Sequence, residues 1–361
     1  MSLPQQKNRR SVRQPKLTAA AGLCLVGCTL GNSTPGTLAV EWRTPPALIE
    51  RPPPHAVLEA KRRPTKSMTR WAPMPSPEQV WAHSCVTRAK LEAALKDPGI
   101  TAIEVDVAMG YLTGPEGSGN VMVPVMAHPP VLTSDLSFED FLLELVHDGR
   151  RHVKFDFKDL GSVKRCLPLL AEKSSQLAAS GQAVWLNADV LPGPGLRGWR
   201  CAVPAEAFFE EAARHCPGAH LSLGWKANPV GLESYTEDDC RAMAELCRRH
   251  DQREGGVVFA VAARTASRNP EPLAALLAQV PGSQLLFWTG TWEPPILAAT
   301  KGRLCSAFAA LGLGQRCGFD VRTVDPPRCF LNFMTRLADF LTNLQSVIAR
   351  ALAPKLASIQ S

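Results

Sequence analysis

The sequence predicts an α/β fold, a (β/α)8 barrel, on three observations. From Val80 to about residue 325, short apolar runs alternate with helix-like stretches, the pattern of a parallel sheet with crossover helices. Eight such units fit into about 240 residues, close to the usual length of this barrel. Within several runs the polar residues occupy alternate positions, so they share one face of their strand. At 361 residues and 45% hydrophobic, the chain is long enough to bury such a core.

Residues 1–75 read as a disordered, Pro-rich basic tail. They carry 12 Lys and Arg against 3 Asp and Glu, a balance of +9. The remainder then holds 28 basic and 30 acidic residues, a balance of −2. The net charge of +7 therefore belongs to the tail. No basic stripe interleaved with aromatics runs through the folded part, so nucleic acid is not an expected partner. Within the tail, residues 17–30 form a short apolar run after a basic start. That fits a secretory signal; the lack of any acid before Glu41 fits an organelle presequence; a plain disordered tail is the third reading. Extracellular and cytoplasmic placements both stay open. The run is shorter than the ~20 residues of a membrane-crossing helix, so no transmembrane span is expected. The 11 cysteines include no C-x-x-C pair, which leaves a zinc ribbon or a thioredoxin motif unsupported.

The barrel is expected over residues 76–325. Its strands are expected at Val80–His83, Ala102–Val107, His152–Lys158, Ala183–Ala188, Ala219–Trp225, Val257–Ala263, Gln284–Thr289 and Arg316–Val321. Helices are expected at 86–96, 138–147, 162–178, 204–215, 236–250 and 270–279. A ninth apolar run, Val121–Ala127, follows a Gly- and Pro-rich stretch that cannot be a crossover helix. It is therefore read as an excursion from the loop after the second strand. Residues 326–361 are expected to add an amphipathic helix through Phe330, Phe333, Leu337, Leu341, Leu344 and Ile348.

Active sites of this fold gather at the C-terminal ends of the strands. The first expected strand ends in His83, and the excursion runs into His128. The second places Glu104 and Asp106 on one face, and the third places Lys154, Asp156 and Lys158 together. The fourth aligns Trp185, Asn187 and Asp189. Further round come Trp225, Arg264 and Trp288. Three successive polar faces oppose the branched apolar filling that a barrel interior otherwise prefers. Glu104, Asp106 and Asp156 are hard oxygen ligands suited to Mg²⁺ or Ca²⁺; a salt-bridge network with Lys154 and Lys158 is the competing reading. A cation beside Lys158 would neutralise a phosphate, with His83 and His128 as general acid and base. Lys154, Asn187, Asp189 and Arg264 are candidate substrate contacts, and Trp225 and Trp288 candidate apolar walls, with core packing the alternative for each tryptophan.

Trp81–His83, Ile103–Asp106, Pro124–Pro130, Lys154–Lys158, Trp185–Pro194, Leu221–Trp225 and Trp288–Gly290 resemble the menorin family over roughly residues 78–325. That family in turn resembles the barrels of glycerophosphodiester phosphodiesterases and sphingomyelinase-D-like enzymes. The resemblance implies a His ending strand one, Glu-x-Asp on strand two, a second His, and an acid-x-Lys on strand three. His83, Glu104, Asp106, His128, Asp156 and Lys158 fall on those positions in that order. It implies a phosphodiester small molecule or lipid headgroup as substrate. Menorin relatives also imply extracellular cell–cell and neuronal roles, hence an extracellular protein partner and a barrel without turnover as the alternative. Two departures stand out. Ser84 replaces the Arg that follows the first His in the phosphodiesterases, and Pro129 replaces the Asp or Asn after the second. Lys154 is the candidate substitute for that Arg.

Overall fold

A computed structural model describes residues 71–114, 121–228, 232–250, 254–291 and 293–325. Residues 1–70 of the expected tail, and the expected C-terminal helix of 326–361, lie outside the described residues. In chain order the strands are β1 (Trp81–Ala82), β2 (Ala102–Leu112), β3 (Met122–Met126), β4 (Thr133–Ser134), β5 (His152–Phe157) and β6 (Val184–Pro192). They continue with β7 (His220–Lys226), β8 (Val257–Ala262), β9 (Gln284–Trp288), β10 (Ile296–Leu297), β11 (Cys317–Asp320) and β12 (Thr323–Val324). The helices are α1 (Arg88–Lys96), α2 (Phe138–Asp148), α3 (Leu160–Ala179), α4 (Ala205–His215), α5 (Glu237–Arg249), α6 (Ala263–Ala266), α7 (Glu271–Gln279) and α8 (Ala298–Ala310).

Eight strands run side by side in the order β1-β2-β5-β6-β7-β8-β9-β11, every neighbouring pair parallel. With helices between them they make a nearly closed (β/α)8 barrel. The Val121–Ala127 run forms β3, antiparallel to β2 and off the barrel path. Because β3 and β4 both pair with the outer half of β2, that strand continues to Leu112 instead of ending at Val107. Gly110 permits the close approach: a Cβ there would lie 2.2 Å from the Leu132 carbonyl oxygen. The sequence did not announce α8. Its residues are mostly small, Gly302 lies inside it, and only Leu304 and Phe308 are buried, so no apolar stripe is written there. Local signals end or start other helices, with Gly149 at φ 63 after α2 and a Thr236–Asp239 capping box before α5. Among the described residues, no helix is long and apolar enough to cross a membrane.

Strand alternation separates two interiors. Outward-facing Ile103, Val105, Val153, Phe155, Leu186, Leu223, Phe259 and Phe287 are buried beneath the helices and form the main core. Inside the barrel, the N-terminal half is plugged by Ala183, Trp185, Val258 and Leu286, with Ala72, Met74 and Trp81 against them. The C-terminal half is polar. Among the described residues no ladder joins β1 to β11; instead Gly318 lets Pro77 approach so closely that a Cβ would lie 2.2 Å from its carbonyl oxygen.

Two histidines tie the plug to the sheet. His220 donates through Nε2 to the Ala72 carbonyl and accepts at Nδ1 from the Gly256 N–H, both at 3.0 Å. His152 accepts at Nδ1 from the Ala183 N–H at 3.0 Å. Burial lowers the pKa of both rings. The unfolded chain, with His near 6.5, then binds more protons, so this contribution to stability is present above about pH 6.5 and is lost as pH falls toward the folded values. We expect a His152→Gln/His220→Gln chain to lose about 1–3 kcal/mol at pH 7.5. In urea titrations it should also lose less stability than the wild type between pH 7.5 and 5.5. Equal losses in the two chains would contradict this role.

Candidate active site at the mouth of the barrel

Register brings the charged faces together. Glu104 lies opposite Lys154, Asp106 opposite Asp156, and Asp156 opposite Asn187, all facing into the barrel. Above the plug they line a cavity of about 350 Å³ with His83, Ser84, His128, Lys158, Asp189, Lys226, Trp288 and Glu293.

One oxygen each of Glu104, Asp106 and Asp156 lies within 4.8 Å of the others, so this triad could hold a metal ion. Glu104 and Asp106 are only 2% and 4% exposed, which makes bare charge costly there. Lys158 Nζ answers part of it, 2.8 Å from Asp106 Oδ1 and 2.7 Å from Asp156 Oδ2. Burial would raise the Asp156 carboxyl, but Lys158 and Lys154 outweigh it and hold the pKa below the usual range. Burial would likewise lower Lys158, and Asp156 with Asp106 drives it well above its ordinary value. Glu104 has no ammonium in contact; burial pushes it up to about 7 against the pull of His83, with Asp106 adding to the rise. Three hard oxygens, one of them unmatched by a lysine, fit a divalent cation.

Ser84 occupies the place of the missing Arg and is committed to the carboxylates. It sits at φ 55, in the left-handed region, and its N–H donates to Glu104 Oε2 at 2.7 Å. Its Oγ lies 3.4 Å from Asp106 Oδ2. His83 Nδ1 is 2.6 Å from Asp320 Oδ2 and 3.6 Å from Glu104 Oε2. Burial would lower the ring's pKa, but Glu104 and the Asp320 hydrogen bond carry it up to about 9. His128, exposed at the end of the excursion, donates from Nδ1 to the Pro129 carbonyl at 2.6 Å. In both rings Nε2 is left as the nitrogen free to exchange a proton.

Lys154 is 3% exposed, with Nζ 5.9 Å from the Trp81 ring centroid, and makes no hydrogen bond or ion pair among the described residues. Asn187 Oδ1 accepts from Ser222 Oγ at 2.6 Å while its side chain bonds Asp156. Asp189 lines the same cavity, pushed up to about 7 by burial and then by Asp156. Gly224 makes room for it, since a Cβ there would meet Asp189 Oδ1 at 2.4 Å.

Two expected residues lie elsewhere. Trp225 is 2% exposed and packs against Tyr235 and Phe259 in the outer core, because the inward positions of β7 are Ser222, Gly224 and Lys226. Arg264 opens α6 and donates to the Pro294 carbonyl at 2.8 Å, outside the cavity lining. Conversely, Asp320, Lys226 and Glu293 were not anticipated, and Ser84 was expected only as the residue in place of an Arg, not as a lining of the cavity. Asp320 ends β11, one residue before the end of the expected Arg316–Val321 strand, and shares the register of Trp288, so reading the eighth strand end would have found it. Lys226 was legible from the parity of Ser222 and Gly224.

Human protein FAM151B is 30% identical over 216 residues, covering 59% of this chain and 73% of its own length. Among solved structures, a glycerophosphodiester phosphodiesterase from Parabacteroides distasonis is 12% identical, covering 73% of this chain and all of its own, with a TM-score of 0.37. The catalytic domain of endoglucanase Cel5A from Thermobifida fusca is 14% identical, covering 69% and 79%, with a TM-score of 0.38. Neither score carries a functional argument. A family model of the menorin N-terminal domain matches residues 78–304, well over half of the chain. The chain belongs to the menorin family.

Proposed function

We propose that the barrel is a divalent-cation-dependent phosphodiesterase acting on a glycerophosphodiester or a phospholipid headgroup. The observation that supports this most is the convergence of Glu104, Asp106 and Asp156 within 4.8 Å, beside Lys158 and inside a cavity. These three carboxylates would hold Mg²⁺ or Ca²⁺, which when bound supplies positive charge to a phosphoryl oxygen. Lys158 and the uncommitted Lys154 add fixed positive charge for the phosphate, Lys154 standing in for the absent Arg. His83 and His128 exchange protons through Nε2, one with the attacking oxygen and one with the leaving oxygen. Asp320 holds His83 in orientation. Asn187 steadies Asp156, Asp189 offers a polar contact, and Trp288 an apolar wall.

A second reading is a secreted or luminal binding protein, with neuronal or cell–cell partners, that keeps the barrel without turnover. It is favoured by one observation: Ser84, at the position of the phosphate-clamping Arg, has a short neutral side chain whose Oγ turns to Asp106 Oδ2 at 3.4 Å. The two readings separate in a hydrolysis panel of glycerophosphocholine, glycerophosphoethanolamine and an aryl phosphodiester with the full chain. Turnover is expected with Mg²⁺ or Ca²⁺, with loss of at least about a hundredfold on chelation or on Asp156→Asn. Absence of turnover on every diester and metal would leave only the binding reading.

A further inference from the structure

Exposed apolar side chains are unevenly placed on this barrel. Of the twelve large hydrophobics exposed among the described residues, only Val80, Leu143 and Leu311 lie away from the loops that follow the barrel strands. The other nine stand on the face where the cavity opens. Single exposed apolar residues need no explanation, but their concentration around one opening does.

Six of the nine fall into two groups. Tyr111, Met122, Val131 and Leu132, from 36% to 55% exposed, stand on the raised platform of β2, β3 and the loop leading to β4. Tyr111 is in register with Met122 and Thr133, and its N–H donates to the Leu132 carbonyl at 2.8 Å. Backbone pairing on both sides therefore fixes this platform, and His128 at its base lines the cavity. Farther round the opening, Trp199 and Leu232 are 60% and 81% exposed on the loops after β6 and β7. Lys226 Nζ, which also lines the cavity, lies 5.0 Å from the Trp199 ring centroid. Arg197, 3.8 Å from Asp238, and Arg200 flank that tryptophan in the chain.

We infer that this face docks onto a phospholipid bilayer, so that the site takes its phosphodiester from a lipid surface instead of from solution. Aliphatic and aromatic tips can enter the acyl boundary while Arg197, Arg200 and Lys226 meet the phosphate layer above it. The cavity mouth then faces the headgroups. The substrate half of this inference rests on the phosphodiesterase reading; the docking half does not.

The test is co-sedimentation of the full chain with phosphatidylcholine vesicles at high salt, where attraction through the basic residues of 1–75 is screened. Leu132→Glu/Trp199→Glu alters two exposed side chains outside the cavity lining. The wild type is expected to sediment with vesicles and the variant to partition at least about tenfold less, with unchanged calorimetric binding of divalent ions. A wild type that stays in solution, or a variant that sediments equally, overturns the docking proposal. Faster hydrolysis of glycerophosphocholine than of vesicle phosphatidylcholine overturns the lipid substrate. Vesicle binding with hydrolysis of neither compound overturns the phosphodiesterase reading alone.

Discussion

A chain carrying Glu104→Gln and Asp106→Asn is expected to bind neither Mg²⁺ nor Ca²⁺, a fall of at least about a hundredfold in affinity. Charge balance at the mouth of the barrel gives the reason. Glu104, Asp106 and Asp156 supply the three carboxylates of the triad, with Lys158 paired to Asp106 and Asp156 and His83 beside Glu104. The variant keeps Asp156 as the one carboxylate of the triad against Lys154, Lys158 and His83, so positive charge dominates there. A dication that was attracted is then repelled, and two of its three oxygen ligands become weaker donors. Volume is preserved, so the Ser84 and Lys158 contacts have somewhere to go and the fold should persist. Asp106→Asn also takes from Lys158 one of its two carboxylate partners, and removing one partner of a buried ion pair is destabilising, so the metal-free variant should unfold in less urea than the metal-free wild type. Isothermal calorimetry decides the matter. Similar heats from both chains, or none from the wild type, would end the case for a metal at this triad.

Much of this site was legible because β structure writes its faces into the text. Glu104 and Asp106, then Lys154, Asp156 and Lys158, then Asn187 and Asp189 recur at spacing two, and parallel register carries that parity from strand to strand. The same rule places Trp225 outside, since Ser222, Gly224 and Lys226 hold the inward parity; a large aromatic at a strand end was a weaker guide than its position. What stayed hidden depends on partners distant in sequence. Asp320 meets His83 across 237 residues, through a seam that no local pattern marks. The plug made by Ala72 and Met74 comes from a stretch that reads as tail, because its apolar residues gain burial only inside a finished barrel. Arg264 looked like a strand-end cation, but its reach is taken up by the Pro294 carbonyl. Helix α8 escaped because small residues cover the barrel without leaving a periodic apolar stripe.

Replacing His83 by Asn should reduce kcat on the best diester of the panel by about 10²–10⁴-fold, the range for loss of a positioned proton-transfer group. Divalent-ion binding should survive, since His83 approaches Glu104 no closer than 3.6 Å and is not one of the three oxygen donors. Asp320→Asn is expected to act in the same direction but less strongly. Asp320 Oδ2 accepts the Nδ1 proton at 2.6 Å, and that bond both orients the ring and leaves Nε2 as the working nitrogen. An amide there still fills the space, but the ring is no longer held to one orientation. If Asp320 works only by positioning His83, the double variant His83→Asn/Asp320→Asn should be no slower than His83→Asn alone. Losses that multiply would instead mean that Asp320 contributes to the reaction by a separate route. Retention of near wild-type kcat by His83→Asn would remove this histidine from proton transfer, leaving His128 and the cation site to account for any turnover.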